Sequence, residues 1–515
     1  MMNNIYSIQK MPLLVFRGKQ TLAEYHEEIS IYQGNPLIEA LPKILDEDSV
    51  IEQLQDYPVL DESERQLPAH LRLHLIQNVF ELFIVLSHHL DLEQRFSRMI
   101  RAGYRARNPV KRDFWQSNQE KVELLRTGHK LSFSSCKRST ATGFTILGIS
   151  GVGKTTAIES ILNLYPQVIF HNSYKQYNLT LTQLVWLKLE CPADGSVKGL
   201  CINFFQAVDD VFGTNYYYIY ASNGKKTVNE MMPNMALVAA NINLGVLVID
   251  EIQSLTKLNI GGYEKILDFF VELINTIGLP VVLVGTYKAW SILGNQFRQI
   301  RRGTGQGDFI WERMKEDEDW QLFVEGLWKY QYLKHDCKLN SKFSHALYYE
   351  CQGITDFAIK IFMLAQARAI TTGTEKLTVG LIKSVAKDCL RTARDILDAL
   401  KINDLHKLQN CEDVYLNINS FLEEEIRILN KNQDSLIKEE IISSELPKNN
   451  PVKPDPSSKS NKNSNSSIQS NKKTKTVNQL NPSLLSIADV GQKNKLSIYQ
   501  SLKKANYICS ATEYL

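Results

Sequence analysis

Three scarcities narrow this chain before any motif is considered. No apolar run approaches the ~18 consecutive residues that a membrane-spanning helix needs, so no contact with a membrane is expected. Cysteine is sparse: Cys136, Cys191, Cys201, Cys337, Cys351, Cys389, Cys411 and Cys509 are scattered along 515 residues without one Cys-x-x-Cys pair. That spacing argues against a disulfide framework or a thiolate zinc site and for reduced thiols. With the opening Met1-Met2-Asn3-Asn4, which has no signal-peptide pattern, the expectation is a cytoplasmic protein. Charge of one sign is also lacking: 59 Lys and Arg against 56 Asp and Glu leave +3, too little to identify a partner, since local clusters can outweigh the sum. What remains is ordinary for a globular protein, 43% hydrophobic and 22% charged, and the length allows roughly two to four domains.

The pattern changes along the chain. Residues 1–140 read as a mostly helical N-terminal extension, with apolar spacing in Leu71-Arg72-Leu73-His74-Leu75-Ile76 and Val79-Phe80-Glu81-Leu82-Phe83. Residues 141–315 alternate apolar strands with amphipathic helices, the pattern of an α/β domain with a parallel sheet flanked by helices. Residues 316–400 lose the strands and read as packed helices, with 401–444 a helical extension. From 445 to 482 the composition turns polar and repetitive, as in Ser457-Ser458-Lys459-Ser460-Asn461-Lys462. Such a tract cannot bury enough apolar surface to offset ordering, so a disordered linker is expected. Hydrophobicity returns in 483–515, with Leu484-Leu485-Ser486-Ile487 and Leu496-Ser497-Ile498-Tyr499. This island is either a docking segment or a frayed terminus.

The most informative stretch is Gly148-Ile149-Ser150-Gly151-Val152-Gly153-Lys154-Thr155, a complete phosphate-binding loop. It follows the strand-like Phe144-Thr145-Ile146-Leu147 and opens a helical run through Thr156, the context this motif requires. Its glycines allow backbone N–H groups to turn toward phosphate oxygens at a helix N-terminus. Lys154 is placed to reach the β- and γ-phosphates, and Thr155 to offer its hydroxyl to Mg²⁺. The expected ligands are therefore ATP and Mg²⁺, with Gly148, Ser150, Gly151, Val152, Gly153, Lys154, Thr155 and Thr156 lining the nucleotide.

Downstream, Leu244-Gly245-Val246-Leu247-Val248-Ile249-Asp250-Glu251 is a buried strand ending in two acids. Asp250 suits Mg²⁺ and Glu251 suits polarising the attacking water. A further strand, Pro280-Val281-Val282-Leu283-Val284-Gly285-Thr286, ends in a hydroxyl that either positions that water or simply closes the strand. Phe297-Arg298-Gln299-Ile300-Arg301-Arg302-Gly303 then crowds three arginines. Arg301 and Arg302 are readable as a trans finger that neutralises charge on a neighbouring subunit's phosphate, or as a solvated or DNA-facing run.

This order of parts, followed by a helical lid, resembles that of AAA+ ATPases. Asn35-Pro36-Leu37-Ile38-Glu39-Ala40-Leu41-Pro42, Tyr165-Pro166-Gln167-Val168-Ile169, Val248-Ile249-Asp250-Glu251-Ile252-Gln253, Arg301-Arg302-Gly303 and Gln352-Gly353-Ile354-Thr355-Asp356 together look like TnsC. TnsC is the AAA+ regulator of heteromeric Tns-type transposons, including CRISPR-associated ones. The resemblance implies a prokaryotic ATPase that assembles as homo-oligomeric rings or filaments on double-stranded DNA. It further implies transposase partners similar to TnsA and TnsB, a target selector similar to TnsD or TniQ, and slow ATP hydrolysis that dismantles the assembly. One residue departs from the pattern: Asp356 stands where many AAA+ lids carry an arginine, with Lys360 one turn on as a substitute.

For DNA, the densest basic stretch holds Arg95, Arg98, Arg101, Arg105, Arg107, Lys111 and Arg112, interleaved with Phe96, Tyr104, Phe114 and Trp115. Helical spacing puts Arg95, Arg98, Arg101 and Arg105 near one face if the helix persists through Gly103. Such a stripe serves either phosphate contacts, which are tolerant of sequence and sensitive to salt, or a solvated face or subunit contact. Lys225, Lys226 and Lys257 are further candidates. The other functions open at this point are a helicase-loader or remodelling ATPase, and an ATP-gated scaffold that does not turn over.

Overall fold

The computed structural model describes residues 16–112, 114–115, 140–222, 226–257, 260–289, 307–391 and 393–402, all within a unit spanning Met1–Ser444. The arginines at 301 and 302, Lys225, and the linker and terminal segment expected at 445–515 lie outside the described residues.

Eight strands are described: β1 Gln20–Leu22, β2 Phe144–Gly148, β3 Val168–Tyr174, β4 Tyr177–Leu184, β5 Trp186–Glu190, β6 Val246–Asp250, β7 Val281–Gly285 and β8 Asp308–Trp311. Five of them form a wholly parallel sheet in the order β5-β6-β7-β2-β8. Every residue of β2, β6 and β7 is buried, as continuous apolar runs require when helices cover both faces of a sheet. Alternation along β6 divides the core in two. Val246 and Val248 join one apolar cluster with the N-terminal extension and the lid. Leu247 and Ile249 join another, with the helices Val197–Phe212 (α2), Val228–Asn241 (α3) and Ile260–Glu272 (α4).

The extension is anchored by a helix, α1, at Ser87–Arg105, whose Leu92, Phe96, Met99, Ile100 and Tyr104 are buried. These residues recur at helical spacing on one side of α1. Phe96 meets Phe144 of β2 edge-on at 5.5 Å, and the Tyr104 hydroxyl donates to the Asn243 carbonyl at 2.9 Å. Glycine is required at 245, where a Cβ would sit 2.3 Å from the Val185 carbonyl and 2.5 Å from the Tyr104 hydroxyl.

The extension is not helical throughout. Its β1 pairs in parallel with β3, Gln20 opposite Val168, and β3 turns back on β4 to complete a separate three-stranded sheet. Periodicity over three residues is too short to announce such an edge strand.

The lid comprises helices at Glu318–Trp328, Ser341–Cys351, Thr355–Thr371 (α5), Val379–Cys389 and Arg394–Lys401. Several start on side-chain caps: Asp317 accepts from the amides of Asp319 and Trp320, Asn340 from Phe343, and Thr378 from Leu381. Arg313, just past β8, donates to the Gln352 and Leu400 carbonyls at 3.1 and 3.2 Å, fastening the strand end to the lid. Arg72 of the extension forks onto Glu375 at 2.6 and 2.9 Å and is 1% exposed.

Candidate functional site

The loop after β2 turns twice through left-handed backbone, at Gly151 (φ 85°) and Gly153 (φ 94°), conformations that favour glycine. At Gly148 the constraint is a close approach, because a Cβ there would lie 2.4 Å from the Trp311 carbonyl on β8. The helix at Lys154–Asn163 begins directly from Gly153. Lys154 is buried, and its Nζ spans the loop, donating to the carbonyls of Gly148 at 3.0 Å and Ile149 at 2.8 Å. Val152 belongs to the core, whereas Ser150 is half-buried and Thr156 exposed.

Two neighbouring strands supply the facing wall. The Thr155 hydroxyl donates to Asp250 Oδ2 at 2.8 Å, and the Glu251 amide donates to Asp250 Oδ1 at 2.9 Å. Glu251 itself adopts φ 59°. For a residue other than glycine this left-handed backbone costs about 1–3 kcal/mol and concentrates at functional sites. Gln253 Nε2 donates to Glu251 Oε2, while Gln253 Oε1 accepts from the Thr286 amide at 3.1 Å. Thr286, at the end of β7, is 8% exposed, and its hydroxyl oxygen has no hydrogen-bond partner among the described residues. A buried hydroxyl left in this state calls for an explanation, and a polar ligand arriving between β2 and β7 would supply one.

Lys188 on β5 lies outside every motif in the sequence. Its Nζ lies 2.8 Å from Glu159 Oε1 and 3.7 Å from Asp250 Oδ2, with the lysine side chain 5% exposed. Burial works against its charge, but the Glu159 hydrogen bond and the Asp250 and Glu190 carboxylates more than offset that and raise its pKa. A lone lysine inside Trp186-Leu187-Lys188-Leu189 was the available signal, since a buried lysine needs a carboxylate partner.

The lid closes directly on the loop. Gly151 O accepts from the Asp356 amide at 3.0 Å and from the Thr355 hydroxyl at 2.9 Å. The Asp356 carboxylate pairs with Lys360 at 2.6 Å, so the acid at this lid position meets its own cation one helical turn away.

The basic stretch divides by exposure. Arg98 is exposed and donates to Gln94 Oε1 at 2.9 Å, and Arg105 is also exposed. Arg101 corrects the expected stripe: it is 1% exposed, paired with Glu28 at 3.3 Å, and bonded to Ser97 and to the Pro42 carbonyl. An arginine committed to an internal carboxylate is not available to phosphate. The reason lies in geometry: Arg101 sits beside Ser97 on the face of α1 that packs inward, whereas Arg98 and Arg105 are turned outward. Arg107 is likewise buried, donating to the Leu244 carbonyl at 2.7 Å. Lys226 is half-buried, and Lys257 is exposed with its Nζ 2.6 Å from the Ala193 carbonyl.

Residues 137–293, which contain the loop, both acids and Thr286, match the family model for the AAA domain. This region is an AAA-type P-loop domain. Its donor set fits a nucleoside triphosphate with Mg²⁺: one hydroxyl (Thr155) and one carboxylate (Asp250) are brought together, and phosphate and water oxygens would complete the shell. Among the described residues no group of three or more His, Cys, Asp or Glu could hold a metal alone. No described helix is long and apolar enough to cross a membrane.

No curated protein matches the chain. Among solved structures it is similar to the Aeropyrum pernix ORC2 protein, at 12% identity and a TM-score of 0.33 over 62% of this chain and 93% of that one. It is also similar to a Walker-type ATPase of Pyrococcus abyssi, at 13% identity and a TM-score of 0.35 over 62% and 91%. A third is the Aeropyrum pernix ORC1 protein in complex with DNA, at 11% identity and a TM-score of 0.34 over 61% and 83%.

Proposed function

We propose that this chain is a slow ATPase that, while ATP-bound, assembles with further copies of itself on double-stranded DNA and releases that assembly on hydrolysis. The observation that carries the ATPase reading is the convergence of Lys154, Thr155, Asp250, Glu251 and Thr286 from three adjacent parallel strands. The resemblance to TnsC supplies the biological setting, a prokaryotic transposition regulator linking a target selector similar to TnsD or TniQ to transposase subunits similar to TnsA and TnsB.

In this reading each residue has a distinct task. The loop amides and Lys154 would bind and orient the triphosphate, and Thr155 and Asp250 would hold Mg²⁺, which would supply charge neutralisation at the phosphates. Glu251 polarises the attacking water, and the Thr286 hydroxyl holds that water or the γ-phosphate from the neighbouring strand. Arg301 and Arg302 are proposed to act across a subunit contact. Arg98, Arg105, Lys225, Lys226 and Lys257 are the proposed phosphate contacts to DNA.

The test is electron microscopy with DNA and a slowly hydrolysed ATP analogue, alongside an ATPase assay. Lys154→Ala is expected to abolish nucleotide binding. Glu251→Gln is expected to preserve binding, cut turnover and leave assemblies that persist in ATP. Normal turnover by Glu251→Gln, or assemblies indifferent to hydrolysable ATP, would overturn the proposal; strand unwinding would favour a remodelling ATPase instead.

A further inference from the structure

We infer that Gln253 is a positioning residue that fixes the carboxylate of Glu251 relative to Thr286. The inference rests on the reading of Glu251 as the group that polarises water, and deepens it. Gln253 is 7% exposed and spends both ends of its amide on this site. Its Nε2 donates to Glu251 Oε2, and its Oε1 accepts from the Thr286 N–H at 3.1 Å.

An amide is suited to this task because it is at once a donor and an acceptor on one rigid plane. A carboxylate in its place could accept from Thr286 but would repel Glu251, and an apolar side chain could do neither. The surroundings leave the amide little freedom. A Cβ on Gly285 would lie 2.9 Å from Gln253 Oε1 and 2.7 Å from Ile252 Cγ1, so the bare backbone of β7 lets the side chain approach. Glu251 adopts left-handed backbone, which turns the chain sharply after β6 and brings residue 253 back against it. The bridge therefore ties the ends of β6 and β7 together at the two side chains that would address the water. If water activation requires the carboxylate within hydrogen-bond reach of a water also held by Thr286, the amide that spans both sets that distance.

Two substitutions separate positioning from packing. Gln253→Met keeps roughly the volume and loses both hydrogen bonds. Gln253→Glu keeps volume and the acceptor for Thr286 N–H, loses the donor to Glu251 and adds a like charge beside it. Both are expected to lower kcat at least about tenfold, as loss of one transition-state interaction does. Affinity for a non-hydrolysed ATP analogue, measured by direct titration, is expected to stay within about twofold, with KM following it. A merely structural role would leave Gln253→Glu close to the parent protein in kcat, and that result would overturn the inference. So would a fall in kcat accompanied by an equal loss of analogue affinity. Glu251→Gln in the same assay keeps the two ideas apart. If it loses turnover while Gln253→Glu does not, only the role of Gln253 fails. If Glu251→Gln turns over normally, or the parent protein shows no turnover, the underlying reading and the inference both fall.

Discussion

Replacing Lys188 with methionine tests whether the buried cation on β5 belongs to the nucleotide site or only to the core. Its Nζ lies 2.8 Å from Glu159 and 3.7 Å from Asp250. Opposite charges about 4 Å apart attract by about 4 kcal/mol at an effective dielectric of ~20. Removing one partner of a buried pair costs about 3–5 kcal/mol, because the remaining charge is left unpaired. Here the two carboxylates differ. Glu159 is 32% exposed and can be rehydrated, whereas the Asp250 side chain is 4% exposed and cannot. We therefore expect Lys188→Met to cost about 3 kcal/mol, at the low end of that range.

The coupling is the sharper part. Mg²⁺ brought by ATP would give Asp250 a replacement cation, so the deficit should shrink by at least about 1 kcal/mol when a Mg²⁺–ATP analogue saturates the site. The assay is thermal unfolding of parent and variant, each with and without the Mg²⁺ analogue, near pH 7. At that pH the pair is intact: a lysine with a raised pKa contributes its stability below its unfolded value and loses it only as pH rises through the folded one. An equal loss in both conditions would mean that Lys188 and the metal do not share Asp250, and would refute the reasoning.

Three further expectations follow from burial and backbone. Burial holds the His88 imidazole down at about 4, from 6.5, against the opposing pull of Asp319; a depressed histidine adds stability present above about pH 6.5 and lost as pH falls toward 4, roughly 3 kcal/mol here. His88→Gln should flatten, without abolishing, the loss of urea-unfolding free energy over that interval, since burial also depresses His89, and an unchanged slope would exclude His88. Gly353→Ala should cost more than about 2 kcal/mol in thermal unfolding, because φ is +75° and a Cβ would lie 2.0 Å from the Met314 carbonyl; a loss under about 0.5 kcal/mol would contradict that geometry. Arg101→Met should lower the melting temperature through its unpaired Glu28, whereas Arg105→Ala should leave it unchanged and lower DNA affinity and its salt dependence. Equal melting temperatures for the two variants would reverse the assignment of inner and outer faces.

The candidate nucleotide site was legible from the sequence because its parts are short, contiguous and chemically specific. Eight residues from Gly148 to Thr155 carry loop, cation and hydroxyl, and Asp250-Glu251 close a strand whose apolar run reports burial on both faces. The residues that no motif marks depend on long-range pairing. Lys188 acquires meaning only when β5 lies beside β6, and Gln253 only when β6 and β7 end side by side. The three residues of β1 become a strand only because β3 offers them an edge. Arg101 was misplaced for a related reason. Spacings of three and four assign residues to a broad face of a helix, but Arg98 and Arg101, one turn apart, fall on opposite sides of the solvent boundary. Burial of a charged residue is decided by its partner, here Glu28, 73 residues earlier in the chain.

The contact between loop and lid carries a last consequence. The Gly151 carbonyl accepts from both the Asp356 amide and the Thr355 hydroxyl, and the same peptide unit bears the Val152 N–H. A phosphate oxygen accepting from that N–H would polarise the peptide, and a polarised carbonyl is a stronger acceptor. Triphosphate binding should therefore tighten the first turn of α5 onto the loop although no lid side chain need touch phosphate. The departure at Asp356 then matters less than its sequence position suggests, because the lid is coupled through backbone and its acid is already paired with Lys360. Hydrogen exchange gives the measurement. The Asp356 amide should become at least several-fold better protected with the Mg²⁺–ATP analogue, and Asp356→Asn, which keeps the amide, should preserve that gain. Loss of the gain in Asp356→Asn would show that the lid senses nucleotide through the side chain rather than the peptide.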